Sequence, residues 1–340
     1  MMRHNIRLLV VDDSVFMQMA IQAMVDIYPD IEIVGEATDG EQAVEMALRL
    51  EPDVITMDVN MPGLNGLEAT RRIMARKPVP IIMLSSLTEK GAAITFEALE
   101  SGAVDYLSKS SSAIDIDLAT IAGQVAAKIH FWGKRRKSVQ QHTDGVLPVL
   151  PAQTDLLLIA AGSGGPTVIS ELLRQCTPPP FPILIAQDMP PNFTAPFVDY
   201  LARTTGLPVQ EGGHRAMLDG GMLTVVPGGR RGKISPHMSG KLTLDLLHAT
   251  DFSGEPPADI IASALAAASA PLVLLLSGEA RPLAQLAAAW NGKHGEFWIQ
   301  APASCVADGL PQSALAAGLQ TVTLEPRELG AALRAGIGRL

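Results

Sequence analysis

Short apolar runs alternate along the whole chain with segments in which apolar residues recur every three or four positions. The first pattern predicts buried β-strands and the second predicts amphipathic helices. In the first half the predicted strands are residues 6–11, 31–36, 54–57, 81–84 and 103–107. Because strands joined by helices run parallel, these five βα units predict a doubly wound parallel sheet.

The second half continues the same alternation. Its predicted strands are residues 156–160, 183–187, 222–226, 241–246, 272–276, 297–300 and 320–324. Its predicted helices are residues 166–175, 192–203, 257–269, 281–290, 311–317 and 326–335. The fold class predicted from both halves is therefore α/β, with two doubly wound parallel-sheet domains.

A basic and then polar stretch separates the two halves. Residues 134–137 read Lys-Arg-Arg-Lys and are followed by polar residues and by Pro148 and Pro151, as expected where a helix frays into a linker. We predict a first domain over residues 1–130, a linker over 131–153 and a second domain over 154–340. The length of 340 residues also exceeds what one ordinary core accommodates.

The composition argues against nucleic-acid binding, a disulfide or zinc framework, and membrane insertion. The 35 Asp and Glu outnumber the 26 Lys and Arg, and this net charge of −9 does not favour nucleic-acid binding, which needs a basic face. Cys176 and Cys305 lie too far apart to suggest a disulfide framework or a zinc knuckle. No apolar run approaches the roughly 18 residues that span a bilayer. We therefore expect a cytoplasmic protein without membrane insertion.

Chemically active side chains follow the predicted strands of the first half. They are Asp12, Asp13, Asp58, Ser85 and Lys109. Ligands of open parallel sheets bind beyond the carboxyl ends of the strands, so these side chains are expected to meet. Three close carboxylates favour a divalent cation such as Mg²⁺, and a hydroxyl and an ammonium can grip a phosphoryl group transferred to the central carboxylate, Asp58. Alternatively, the aspartates only cap a helix and open a turn.

Residues 5–130 resemble a response-regulator receiver domain with a flavodoxin-like fold. The motifs Val-Asp-Asp-Ser at 11–14, Met-Asp-Val-Asn-Met-Pro-Gly at 57–63, Leu-Ser-Ser-Leu-Thr at 84–88 and Tyr-Leu-Ser-Lys at 106–109 carry the resemblance. It implies that Asp58 accepts a phosphoryl group from a histidine kinase. The Mg²⁺ ligands that it implies are Asp12, Asp13, Asp58 and the carbonyl of Asn60; the phosphoryl-contacting or switch residues are Ser85, Lys109 and Tyr106. Ser110 replaces the usual proline after the lysine, so the loop carrying Lys109 is expected to sit differently.

The whole chain resembles the CheB family of chemotaxis protein-glutamate methylesterases, which join a receiver to a serine hydrolase. In the second half the resemblance rests on Ile-Ala-Ala-Gly-Ser-Gly-Gly at 159–165, Ala-Gln-Asp-Met-Pro-Pro-Asn-Phe-Thr at 186–194, Val-Pro-Gly-Gly at 226–229 and the segments 303–306 and 309–311. It implies as partners a histidine kinase of a chemosensory array and a chemoreceptor or scaffold protein.

The family's catalytic triad is not retained at the matching positions. Gly162 stands at the position of the serine, Asp188 at that of the histidine, and the loop 277–282 contains no aspartate. Ser163 is a possible replacement nucleophile, but Asp188 would need a pKa raised by roughly three units to act as a base at neutral pH. We predict a catalytically inactive output domain, that is, a pseudoenzyme.

We expect this domain to have kept the ability to bind a ligand although it has lost catalysis. The glycine run can form a nest of N–H groups for an anion, which makes Gly164 and Gly165 candidate binding residues together with Phe193. Burial of Phe193 and Phe197 in the core is the alternative. The predicted function is a phosphorylation-dependent response regulator acting as a regulated adaptor. The alternatives are an active methylesterase or glutamine deamidase that uses Ser163, and a phosphate sink.

Overall fold

The computed structural model describes residues 5–86, 88–109, 118–135, 147–247, 258–280, 283 and 295–339. The chain divides into two compact units, Met1–Thr143 and Asp144–Leu340. The last helix of the first unit continues to Arg135, five residues into the segment that the sequence assigns to the linker. Leu150, also assigned to the linker, is buried in the second unit against Gly336.

The first unit is one five-stranded parallel sheet with helices between its strands. Its elements are β1 Ile6–Val11, α1 Val15–Val25, β2 Ile31–Ala37, α2 Gly40–Leu50, β3 Val54–Asp58, α3 Gly66–Arg76, β4 Ile81–Ser86, α4 Glu89–Glu100, β5 Asp105–Lys109 and α5 Leu118–Arg135. The strand order is β2-β1-β3-β4-β5, which confirms the five predicted βα units. Strand β5 begins two residues later than predicted, because the N–H of Ala103 still bonds to the carbonyl of Ala98 in α4.

The second unit contains a seven-stranded parallel sheet and a small antiparallel one. Its elements are β6 Leu156–Ala161, α6 Gly165–Leu173, β7 Ile183–Gln187, α7 Thr194–Thr205, β8 Val209–Glu211, β9 Ala216–Leu218, β10 Leu223–Val225, β11 Gly232–Pro236, β12 Leu242–Leu246, α8 Ala258–Ala267, β13 Pro271–Leu275, β14 Glu296–Gln300, α9 Gly309–Ala316, β15 Thr321–Leu324 and α10 Pro326–Ile337. The orders are β15-β14-β13-β6-β7-β10-β8 and β11-β12-β9. The α/β class is therefore confirmed.

One predicted strand belongs to a different sheet from the one expected. Residues 241–246 form β12, which pairs antiparallel with β11 and β9 rather than joining the parallel sheet. The reason is the tight turn between β11 and β12, in which His237 and Lys241 are hydrogen-bonded; it is too short for the crossover that parallel strands require. The strands β8, β9 and β11 were not predicted.

The helix predicted over residues 281–290 lies outside the described residues apart from Leu283, which is buried. Among the helices in the described part of the chain, none is both long enough and apolar enough to cross a bilayer.

Candidate functional site

Three carboxylates meet at the carboxyl edge of the first sheet. One oxygen atom from each of Asp12, Asp13 and Asp58 lies within 4.8 Å of the others. The register explains the meeting: Val11 of β1 lies opposite Met57 of β3, so the next residues of both strands are neighbours. Asp12 and Asp58 are buried, whereas Asp13 is exposed.

Lys109 reaches this cluster from β5, two strands away from β3. Its Nζ lies 2.8 Å from Asp12 Oδ2 and 2.9 Å from Asp58 Oδ1. One ammonium offsets only part of the negative charge of three carboxylates. The oxygen-only donor set, with an exposed carboxylate at its mouth, fits a hard divalent cation such as Mg²⁺.

Burial and charge shift the pKa values of this cluster. Burial raises the pKa of Asp58, and the charge of Asp12 adds to that rise, although Lys109 and the N–H of Asn60 oppose it. For Lys109, burial acts to lower the pKa, but its bonds to Asp12 and Asp58 outweigh burial and raise it. Lys109 is therefore protonated at neutral pH. The ionised form of Asp58 is less favourable in the folded protein than it would be in water.

The other predicted receiver residues surround the cluster at different depths. Ser85 is fully buried, one residue beyond the partner of Asp58 in the β3–β4 register, and its Oγ donates to the carbonyl of Ser86 at 3.3 Å. Tyr106 is half-buried, and its ring packs edge-on against Phe96. Ser110, and with it the loop after Lys109, lies outside the described residues.

Helix capping does not account for the aspartates that follow β1. The N-cap of α1 is Ser14, whose Oγ accepts from the N–H of Met17, while Asp12 Oδ1 accepts from the N–H of Ser14.

Gly66 supports the site and was missed by the sequence reasoning: a Cβ there would lie 1.9 Å from the carbonyl oxygen of Asp58. Nothing in the sequence analysis had singled it out.

Asp58→Asn is expected to raise the Tm of the first unit at pH 7. Burial raises the folded-state pKa of Asp58 above the ordinary value of 3.8, so folding favours the protonated carboxyl. The stability lost to ionisation therefore grows as the pH rises from 3.8 through the folded-state pKa. Calorimetry at pH 7 and near pH 3.5 checks this, because the advantage of the variant should shrink at the lower pH. A variant less stable than wild type at pH 7 would contradict the expectation.

The loops of the second unit converge where its strand order reverses. Strand β6 is connected through α6 to its neighbour β7, and its neighbour on the other side is β13. Open parallel sheets bind ligands at such a point, where the strand order reverses. Ser277, two residues after the end of β13, hydrogen-bonds to two of these loops. Its Oγ donates to the carbonyl of Ser163 at 2.6 Å and accepts from the N–H groups of Val306 and Ala307. Sequence reasoning missed this role, which was signalled only by its place after a strand.

Glu279 occupies the space beside Gly162, the position that the sequence resemblance assigns to the family's serine. Ser163 Oγ donates to Glu279 Oε1 at 2.6 Å. A Cβ built on Gly162 would lie 2.6 Å from Glu279 Oε2. The partner of the candidate replacement nucleophile is therefore a carboxylate, which is intrinsically a much weaker base than an imidazole.

The described histidines of the second unit lie at its antiparallel sheet. His214 Nδ1 is 3.2 Å from the carbonyl oxygen of Leu246, and His237 Nδ1 is 2.8 Å from Ser239 Oγ. His248 and His294 lie outside the described residues. Asp188 follows β7 and lies beside Gly162, because Ala161 and Gln187 are partners in the β6–β7 register.

The candidate binding residues Gly164, Gly165 and Phe193 are all buried. Phe193 is fully buried, as is Phe197, so the alternative of core packing holds for both rings. Gly164 has φ +80°, and a Cβ there would lie 2.6 Å from Val306. A Cβ on Gly165 would lie 2.2 Å from Gln187 Oε1. Both glycines are therefore closely packed, and anion binding by their N–H groups stays a prediction.

Comparison with protein families matches both units. The family model described as response regulator receiver domain matches residues 8–120, and the one described as CheB methylesterase matches residues 157–333. The chain is 34% identical to a protein of Pyrococcus horikoshii named protein-glutamate methylesterase/protein-glutamine glutaminase, over 94% of this chain and 90% of that protein. A protein of Saccharophagus degradans named protein-glutamate methylesterase/protein-glutamine glutaminase 1 is 31% identical, over 92% of this chain and 94% of that protein.

Two crystal structures of Thermotoga maritima CheB also resemble parts of the chain. The response regulator domain is 50% identical and covers 38% of this chain and 97% of its own, with a TM-score of 0.35. The methylesterase catalytic domain is 21% identical and covers 54% of this chain and 98% of its own, with a TM-score of 0.48.

Proposed function

Because this chain belongs to the CheB methylesterase family and carries a response regulator receiver domain before its methylesterase domain, we propose that it is a phosphorylation-controlled adaptor of a chemosensory system. Phosphorylation of Asp58 controls what the second domain binds, and that domain does not hydrolyse esters. The observation that carries the proposal is the carboxylate of Glu279, which lies where the side chain of a nucleophilic serine would extend from position 162.

The first step is phosphoryl transfer from the phosphohistidine of a kinase. An oxygen of Asp58 attacks the phosphorus, and the bond to the histidine nitrogen breaks with its electron pair leaving on the imidazole. Lys109, held 2.9 Å from Asp58 Oδ1, is placed to offset charge on the phosphoryl oxygens. Asp12, Asp13, Asp58 and the carbonyl of Asn60 would hold Mg²⁺, which when bound neutralises further charge on those oxygens.

The second step is a change in binding. Phosphorylation can shift the protein between two states only if a partner has different affinities for them, so the proposal requires a state-dependent partner. The family points to a chemoreceptor or a scaffold protein of the array as that partner. A pull-down from lysate with Asp58→Asn and with beryllofluoride-loaded protein tests this, since an adaptor should capture different partners in the two states. Identical partners would favour a phosphate sink.

The chain is expected to release no methanol from a methylated chemoreceptor, even when phosphorylated. In a serine protease, loss of the nucleophile or of the base lowers kcat by about a millionfold, so the remaining rate should be undetectable. A methanol-release assay checks this, with the Pyrococcus horikoshii relative as the positive control. Ser163→Ala should behave as wild type.

A second candidate function rests on the short contact of Ser163 with Glu279. If the carboxylate accepted the hydroxyl proton during attack, Ser163 could act as a nucleophile. Methanol release by wild type that Ser163→Ala abolishes would establish this function and would rule out the inactive domain.

A further inference from the structure

The buried face of helix α1 consists of Gln18, Ile21 and Val25, and Gln18 is the only polar residue of the three. The side chain of Gln18 is 7% exposed. Its Nε2 donates to the carbonyl of Asp12 at 2.9 Å and to the carbonyl of Ala37 at 3.0 Å. A buried amide is costly unless it is hydrogen-bonded, so these two bonds account for the presence of a glutamine in the core.

The two contacts of Gln18 fix the direction of its amide and the backbone of Asp12. Carbonyl oxygens only accept hydrogen bonds, so the NH₂ end of the amide must face both of them. Ala37 is the last residue of β2, and its carbonyl also accepts from the N–H of Asp12 at 3.1 Å. The backbone of Asp12 is therefore held on both sides, through its N–H and through its carbonyl.

The carbonyl of Asp12 belongs to the peptide group that joins Asp12 to Asp13. Rotation of this rigid group changes ψ of Asp12 and φ of Asp13, and so moves the Asp13 carboxylate. Asp12, Asp13 and Asp58 each place an oxygen within 4.8 Å of the others, and carboxylates this close repel one another. Asp13 is the exposed member of the three, so its direction is set mainly by the backbone from which it extends.

We propose that Gln18 is a positioning residue for the metal site. Its two hydrogen bonds orient the peptide group between Asp12 and Asp13, and through it the Asp13 carboxylate, toward a bound Mg²⁺. The proposal rests on the proposed function, in which these aspartates hold Mg²⁺ for phosphorylation of Asp58. Gln18 acts through the backbone, because both N–H groups of its amide are engaged by carbonyls.

The EPR signal of unbound Mn²⁺, a cation that takes the same oxygen ligands as Mg²⁺, measures metal binding by the full chain directly. Gln18→Met keeps the length of the side chain and removes both donors, so the Kd for Mn²⁺ should rise about tenfold. Gln18→Asn is one methylene shorter and reaches at most one of the two carbonyls, so it should give a smaller rise. Circular dichroism checks the fold of each variant, and Gln18→Asn carries the test if Gln18→Met does not fold.

Gln22→Met is the matched control for this loss. Gln22 lies one helical turn further along α1, and its amide donates to the carboxylate of Asp26 instead of to the strands. The same substitution on the same helix should therefore leave the Kd for Mn²⁺ at the wild-type value.

A double-mutant cycle shows whether Gln18 acts through Asp13. Asp13→Asn alone should weaken Mn²⁺ binding, because one ligand loses its charge. Adding Gln18→Met to Asp13→Asn should raise the Kd by less than about twofold further, since the ligand that Gln18 orients is already impaired. A tenfold effect of Gln18→Met in both backgrounds would overturn the proposed route through Asp13.

The Mg²⁺ dependence of phosphorylation separates positioning from a purely structural role. With acetyl phosphate as the donor, Gln18→Met should need about tenfold more Mg²⁺ for half of the maximal rate. Its maximal rate should stay within about twofold of wild type, because saturating Mg²⁺ restores the occupied site. A role confined to stability would lower the Tm and leave the Mg²⁺ dependence unchanged.

Failure of the positioning role is distinguishable from failure of the proposed function. Gln18→Met that binds Mn²⁺ with the wild-type Kd would overturn the positioning role alone. A wild type whose Mn²⁺ binding is unaffected by Asp13→Asn would overturn it too. A wild type that binds Mn²⁺ but is not phosphorylated on Asp58 would overturn the proposed function, whereas a raised Kd of Gln18→Met would still support the positioning role.

Discussion

Replacing Asp58 by asparagine is expected to abolish phosphorylation of the protein. Asparagine keeps the size of the side chain and an oxygen that can accept from Lys109, but an amide oxygen does not form the acyl phosphate. Intact-mass spectrometry after incubation with acetyl phosphate and Mg²⁺ should detect the phosphorylated form of wild type and none of the variant. A small phosphodonor makes the result independent of any kinase.

Asp53→Asn is the matched control for this loss. Asp53 is also a buried carboxylate, placed just before β3 at the opposite end of the strand from Asp58, where it accepts from the backbone N–H of Arg7 at 3.1 Å. Its replacement should leave phosphorylation unchanged. Phosphorylation of the Asp58 variant at wild-type extent would show that another group accepts the phosphoryl, and would remove the basis of the proposed function.

Lys128→Met is expected to destabilise the first unit by about 3–5 kcal/mol, because it leaves a buried carboxylate without its cation. Lys128 Nζ lies 2.7 Å from Asp105 Oδ2, and both side chains are almost fully buried between α5 and β5. A second side-chain donor to this oxygen, Trp132 Nε1, is 3.5 Å away. Hydrogen exchange of the β1 and β3 amides, read by mass spectrometry, measures the opening of this unit alone.

Two further variants separate loss of the ion pair from loss of the lysine stem. Lys134→Met, on the same helix but exposed and 3.8 Å from Asp30, should change stability by less than about 0.5 kcal/mol. The double variant Lys128→Met with Asp105→Leu should recover most of the loss, since apolar side chains replace buried ion pairs at little cost. A double variant as unstable as the single one would show that packing, and not the uncompensated charge, sets the effect.

The cluster at the carboxyl edge of the first sheet was predictable from the sequence. Its members follow consecutive buried strands, and parallel register brings residues at equivalent strand ends together, as Asp12 and Asp58 show. The burial of Phe193 and the packing around Gly164 and Gly165 were not predictable in the same way, because the same residues suit a binding loop and a tight core. Nor did the residues around β12 reveal the antiparallel sheet, since the apolar pattern of one strand does not show which strands it pairs with.

The sequence by itself determined the α/β class, the strands of the parallel sheets apart from β8, and the side chains at the edge of the first sheet. All of these follow from short-range patterns: the period of apolar residues and the position just after a strand. Only the tertiary structure decided that Glu279 meets Ser163 across 116 residues, and that α1 leaves Phe16 and Met19 exposed. Such contacts depend on how distant loops and helices pack, and local periodicity carries no information about that packing.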